Sequence, residues 1–132
     1  MNDELQSYIL AWLQKATNDL KTASILLHAQ DDDKPFDMVC FHCQQAAEKY
    51  LKGYLAFLNL NIPRTHNIAQ LIELGAQNDP LLRAYLSADE LTPYGVNIRY
   101  PDEISVPLES EAWQAYQRAI ELKEYILAQI IF

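Results

Sequence analysis

Apolar residues return at every third or fourth position through most of the chain, the period of a helix buried on one side. Near the amino terminus the series is Leu5, Ile9, Trp12, Ala16, Leu20, Ala23 and Leu27, a continuous stripe on one amphipathic helix. The run DDDKP, Asp31 to Pro35, interrupts it and turns the chain. A second helix is expected over Phe36–Asn59, with Phe36, Cys40, Cys43, Ala47, Tyr50, Tyr54 and Leu58 on its inner side. The stretch NLNIPRT ends it, because Pro63 has no N–H to give a helical ladder.

A shorter third helix follows around Ile68 to Ala76, ended near Gly75 and the NDP turn. Asp79 is placed to cap a fourth helix with Pro80 in its first turn, and Ser87 with Glu90 has capping-box spacing for a restart. Pro93, Gly95, Pro101 and Pro107 make Thr92 to Glu109 an irregular connection, long enough to suggest a functional loop. The last helix is expected from about Ser110 to the end, with Ala112, Ala115, Ala119, Leu122, Ile126 and Ile130 inward. No stretch alternates at the period of a strand. The pattern predicts one domain over residues 1–132, an all-α, up-and-down bundle of four to five helices.

Composition narrows the function. The 132 residues carry a formal net charge of −8, which argues against a broad electrostatic grip on a nucleic-acid backbone while leaving room for a local basic site. The apolar runs are shorter than a membrane span needs, so no membrane association is expected. The first residues, MNDELQSYIL, lack a basic region followed by an apolar one; with only two cysteines, a reducing cytoplasm is the expected setting.

Candidate chemistry concentrates in the second helix. Cys40 and Cys43 form a Cys-x-x-Cys pair, but about a turn inside a helix with no strand before it, so they read as buried small residues instead of a redox pair. A structural zinc would want four ligands at paired spacing, and His28, His42 and His66 do not complete such a set; no metal is expected. At 100° per residue, His42, Gln45, Lys49 and Lys52 fall within an arc of about 80°, nearly opposite the apolar stripe. Two interpretations stand side by side: an ordinary solvated face, or a row of donors and cations for an anionic group such as a phosphate.

Four segments in order, CFHCQQAAEKYLKGYL, RTHNIAQLIEL, LTPYGVNIRYPDE and EAWQAYQRAIELKEYI, resemble the HEPN family, small helical nucleotide-binding domains often encoded beside a minimal nucleotidyltransferase. The resemblance begins near AWLQKATNDLKTASILL and covers almost the whole chain. It implies a domain that binds a nucleotide such as ATP or GTP, or that dimerises and complements a nucleotidyltransferase, in some cases as a toxin–antitoxin pair. The matching positions are His42, Gln45, Lys49 and Lys52, then His66, and Arg99, Tyr100, Pro101 and Asp102 in the irregular connection. Arg99 would fork onto a phosphate or carboxylate, or else pin the loop to helix ends, with Asp102 orienting it. His66 is expected to cap or bond a helix end.

Many HEPN ribonucleases carry an Arg-x4-6-His motif, in which the histidine moves protons and the arginine steadies phosphate charge. That spacing occurs nowhere here: His66 follows Arg64 too closely, and no histidine follows Arg83, Arg99 or Arg118. A nucleotidyltransferase loop is also missing, since Gly53, Gly75 and Gly95 precede Tyr, Ala and Val, and Asp31–Asp33 form a turn instead of a metal grip. The expectation is therefore a non-catalytic, homodimeric subunit that binds a nucleotide or anionic substrate for a nucleotidyltransferase partner, with no cofactor of its own. The alternatives are an unconventional ribonuclease using His42 or His66 with Arg99, and a structural adaptor. Tyr8, Trp12, Phe41 and Trp113 supply aromatic surface for a subunit contact or for the core.

Overall fold

Asn2 opens the first helix in the way its side chain allows, its Oδ1 accepting the Leu5 N–H at 2.7 Å. The computed structural model describes residues 1–95 and 106–132, and among them every regular element is helical. α1 spans Asp3–Leu27, α2 Phe36–Phe57, α3 Ile68–Ala76 and α4 Glu109–Gln129; a 3₁₀ segment, Pro80–Gly95, lies between α3 and α4. The expected all-α bundle is what the chain forms.

α2 is the central rod. It packs along α1 on one side and α4 on another, and also touches α3 and the 3₁₀ segment, while α1 and α4 meet only briefly. The inward positions expected for α1 and α4 are buried at Ile9, Ala16, Leu20, Ala23 and Leu27, and at Ala112, Ala115, Ala119, Leu122 and Ile126. Gly53 sets how closely α1 and α2 approach: a Cβ there would lie 3.0 Å from Leu13 Cδ2 and 3.2 Å from Trp12 Cβ. Burying the apolar stripes of all these elements in one cluster is the main favourable contribution to the fold.

Three boundaries differ from expectation; the last is that α4 ends at Gln129, with Ile130 as an extended, half-buried C-cap, instead of running to the final residue. α2 stops at Phe57 because Asn59 takes a left-handed φ of 59°, which lets Asn59 N–H reach the Ala56 carbonyl at 3.0 Å and Leu60 N–H reach the Leu55 carbonyl at 2.9 Å. That is a Schellman closure built on asparagine, completed before Pro63 is reached.

The second difference is at residues 80–95, which wind as 3₁₀ helix instead of two α-helical pieces. The polar side chains expected to cap α-helices there are engaged elsewhere. Asp79 Oδ2 accepts the hydroxyls of Tyr54 at 2.7 Å and Tyr125 at 2.5 Å, and Glu90 Oε2 accepts Gln114 Nε2 of α4 at 2.8 Å. Pro93 sits inside the segment without an N–H to offer.

Candidate functional site

On α2 the residues Gln44, Glu48 and Lys52 recur every four positions, so their side chains stack along one line of the rod. All three are buried: Gln44 is 0%, Glu48 4% and Lys52 7% exposed. Glu48 holds them together. Its Oε2 accepts Lys52 Nζ at 2.9 Å, and its Oε1 accepts Gln44 Nε2 at 3.1 Å. The same Oε1 lies 2.9 Å from Nδ1 of His66, which reaches it from the connection between α2 and α3. Burial alone would raise the Glu48 carboxyl, but hydrogen bonds from Lys52, Gln44 and His66, with the Lys52 charge, more than offset it and hold the group below the usual carboxylate range.

Gln44 ties this cluster to its surroundings. Its Nε2 lies 3.2 Å from the His66 carbonyl, its Oε1 accepts Gln45 Nε2 at 2.7 Å, and Gly95 rests on its amide so closely that a Cβ would lie 2.9 Å from Cδ. His66 itself is turned outward, with its side chain 74% exposed. It bonds a buried carboxylate, not the helix end expected of it.

A second, smaller cluster lies on the α1 side of the rod. Asp19 accepts His42 Nδ1 at 2.9 Å through Oδ1 and Lys49 Nζ at 2.5 Å through Oδ2. Lys52 Nζ also sits 5.8 Å from the centroid of the Trp12 ring, within cation–π reach.

These contacts correct the expectation of a row turned to solvent. Lys52 is buried and paired, while His42, Gln45 and Lys49 are half-buried and bonded to Asp19 or Gln44. The physical reason is the central position of α2: α1 packs along it and brings Asp19 to His42 and Lys49, and the α2–α3 connection brings His66 to Glu48. With Asp19 and Glu48 opposite Lys49 and Lys52, the formal charge of the two clusters is zero when both histidines are neutral, so they do not form an anion cradle. Asp19, Gln44 and Glu48 were missed as site residues. The four-residue spacing of Gln44, Glu48 and Lys52 was visible in sequence; the pairing of Asp19 was not.

Arg99, Tyr100, Pro101 and Asp102 lie outside the described residues. The amino terminus of α3, another natural anion site, is occupied by the protein itself. Thr92 Oγ1 accepts Ile68 N–H at 3.0 Å, Asp89 Oδ1 accepts Ala69 N–H at 3.0 Å, and Asn67 Oδ1 accepts Gln70 N–H at 2.9 Å. A cavity of about 120 Å³ between the 3₁₀ segment and α4 is walled by Glu90, Leu91, Tyr94, Glu111, Gln114 and Ala115, and its two carboxylates disfavour an anion.

The cysteines are buried, as expected. Desolvation, with the nearby Glu111 and Asp37 charges, pushes the Cys40 thiol up to about 12 despite a hydrogen bond with Tyr94, and burial pushes Cys43 higher still. Neither is a ready nucleophile. Among the described residues no three His, Cys, Asp or Glu side chains converge to hold a metal, and no helix is long and apolar enough to cross a membrane.

The family model of the HEPN domain matches residues 9–129. A crystal structure of an archaeal HEPN homologue, ST0689, aligns over 93% of this chain and 98% of its own at a TM-score of 0.71, with 26% identity. The crystal structure of TT1696 from Thermus thermophilus aligns over 92% of this chain and 98% of its own at a TM-score of 0.78; at 23% identity it speaks for the fold alone. Among curated proteins, none matches the chain.

Proposed function

The chain belongs to the HEPN family, and from that premise we propose that it is a binding subunit: it holds a nucleotide at the corner between α2 and α3 and complements a small nucleotidyltransferase, as a homodimer and in a toxin–antitoxin-type pair. One observation carries the binding role. The buried Glu48 carboxylate, paired with Lys52 at 2.9 Å, also lies 2.9 Å from Nδ1 of the exposed His66 imidazole. A buried ion pair is a weak way to stabilise a core, because desolvation consumes much of the attraction, and an apolar pair of the same volume often serves as well. Its presence in the central rod, aimed at an exposed ring, is the arrangement expected of a site whose geometry is kept for a ligand. The nucleotidyltransferase partner rests on the family's habit of pairing with one, and the dimer on exposed Tyr8 and Trp113.

Calorimetric titration with ATP and GTP tests the binding role, with His66→Ala and Arg99→Ala each expected to weaken affinity several-fold. Absence of heat with either nucleotide in the wild type removes it. Co-expression with the nucleotidyltransferase encoded nearest the gene tests the partnership by co-purification, and light scattering tests the dimer.

Cleavage of RNA has one observation in its favour, the same carboxylate-backed imidazole two residues from the exposed Arg64. Incubation with RNA beside the His66→Ala variant decides it. Cleavage by the wild type that disappears in the variant would replace the non-catalytic reading.

A further inference from the structure

The polarity of His66 is set by what lies beneath it. Glu48 is held below the usual carboxylate range, so it is ionised at neutral pH, and an ionised carboxylate has no proton to give. At 2.9 Å from Glu48 Oε1, Nδ1 of His66 must therefore be the donor. In the neutral ring the single N–H is then fixed at Nδ1, and Nε2 presents only a lone pair.

Among the described residues, the rest of the corner gives Nε2 no competitor. Thr65 Oγ1 accepts Asn67 N–H at 3.1 Å, Asn67 Oδ1 caps α3, and the His66 carbonyl takes Gln44. Among the described residues nothing hydrogen-bonds Nε2, and the ring is 74% exposed. Lys52 and Lys49, the cations that α2 carries towards this face, are committed to Glu48 and Asp19, while the exposed Arg64 lies two residues before the ring in sequence.

We propose that the His66 corner recognises a hydrogen-bond donor on its ligand, a sugar hydroxyl, and not a phosphate. This rests on the binding role proposed above and names the part of the nucleotide that it engages: the ribose edge meets Nε2. A phosphate oxygen has no proton to offer a neutral ring at that atom, whereas a hydroxyl donates directly. A site built to accept from a hydroxyl discriminates against an analogue without it, because its acceptor is then left unpaired. Glu48 acts as a positioning residue, since it fixes the tautomer without touching the ligand.

The experiment uses nitrogen-15 labelled full-length chain in neutral buffer. Long-range nitrogen–proton spectra of the free protein are expected to show His66 with a protonated Nδ1 and a bare Nε2. Glu48→Gln, checked for fold by circular dichroism, is expected to release the tautomer, because an amide can donate as well as accept. ATP is expected to shift the Nε2 resonance, 2′,3′-dideoxy-ATP to bind about fivefold or more weakly, and inorganic pyrophosphate to leave Nε2 unmoved. His66→Ala, a change at an exposed side chain, is expected to erase the difference between ATP and its dideoxy analogue.

Several results overturn the inference: a proton on Nε2 in the free protein, equal affinity for the two nucleotides, or displacement of ATP from Nε2 by pyrophosphate. With equal affinity or displacement, the nucleotide role survives and only the ribose assignment falls. If no nucleotide binds at all, both fall together.

Discussion

At Glu48 three donors converge on a carboxylate in the middle of an otherwise apolar rod, and their combined effect fixes how the fold responds to acid. The folded group titrates below its ordinary value of 4.5, so its contribution is fully present above that value and is lost as the pH falls through the lower folded one. Replacing Glu48 with Gln should remove that part of the acid dependence. It should also cost roughly 3–5 kcal/mol at neutral pH, because Lys52 is left buried without its counter-charge. Urea unfolding of both proteins across the acid range measures both effects, and equal stability at neutral pH would contradict the ion pair.

Cys40 and Cys43 offer a second measurement at the same scale. With burial raising both thiols, a disulfide reagent should find neither in the native chain and both after unfolding. Rapid native labelling would mean that α2 is not the closed core described.

Helix boundaries obey a different logic, in which one backbone angle outweighs a whole propensity window. Asn59 holds a left-handed φ that side chains with a Cβ adopt at a cost of about 1–2 kcal/mol, asparagine and glycine being the tolerant exceptions. Asn59→Ala should therefore destabilise the chain by about 1 kcal/mol, while Asn59→Gly should be near neutral. Thermal melts of the two variants separate the backbone effect from loss of the side chain, and equal losses would place the requirement in the amide. This scale also shows what the sequence could reveal. The helix around Ile68–Ala76 was legible because the signals that bound it are local, Pro63 before it and the NDP turn after it. The 3₁₀ segment was not legible, because the groups that decide it, such as Asp79 with Tyr54 and Tyr125, are 25 and 46 residues apart in sequence.

Charge over the whole molecule joins these scales. The polar residues of α2 were legible from periodicity, but their electrical meaning was not: Asp19 stands 30 residues before Lys49 and turns a row of cations into ion pairs only when α1 packs on α2. A chain of net charge −8 in which Lys49 and Lys52 are already matched has little long-range attraction for a polyanion. Nucleotide affinity should then depend only weakly on ionic strength, changing less than about twofold as the screening length falls from ~30 Å to ~8 Å. A phosphate cradle of unpaired lysines would instead lose affinity steeply over that range, because its attraction is mostly screened coulombic force. Titration of ATP at a series of salt concentrations distinguishes the two. A steep slope would mean that cations meet the phosphates, either Arg99 or Lys49 and Lys52 released from Asp19 and Glu48, and that the site is chiefly electrostatic.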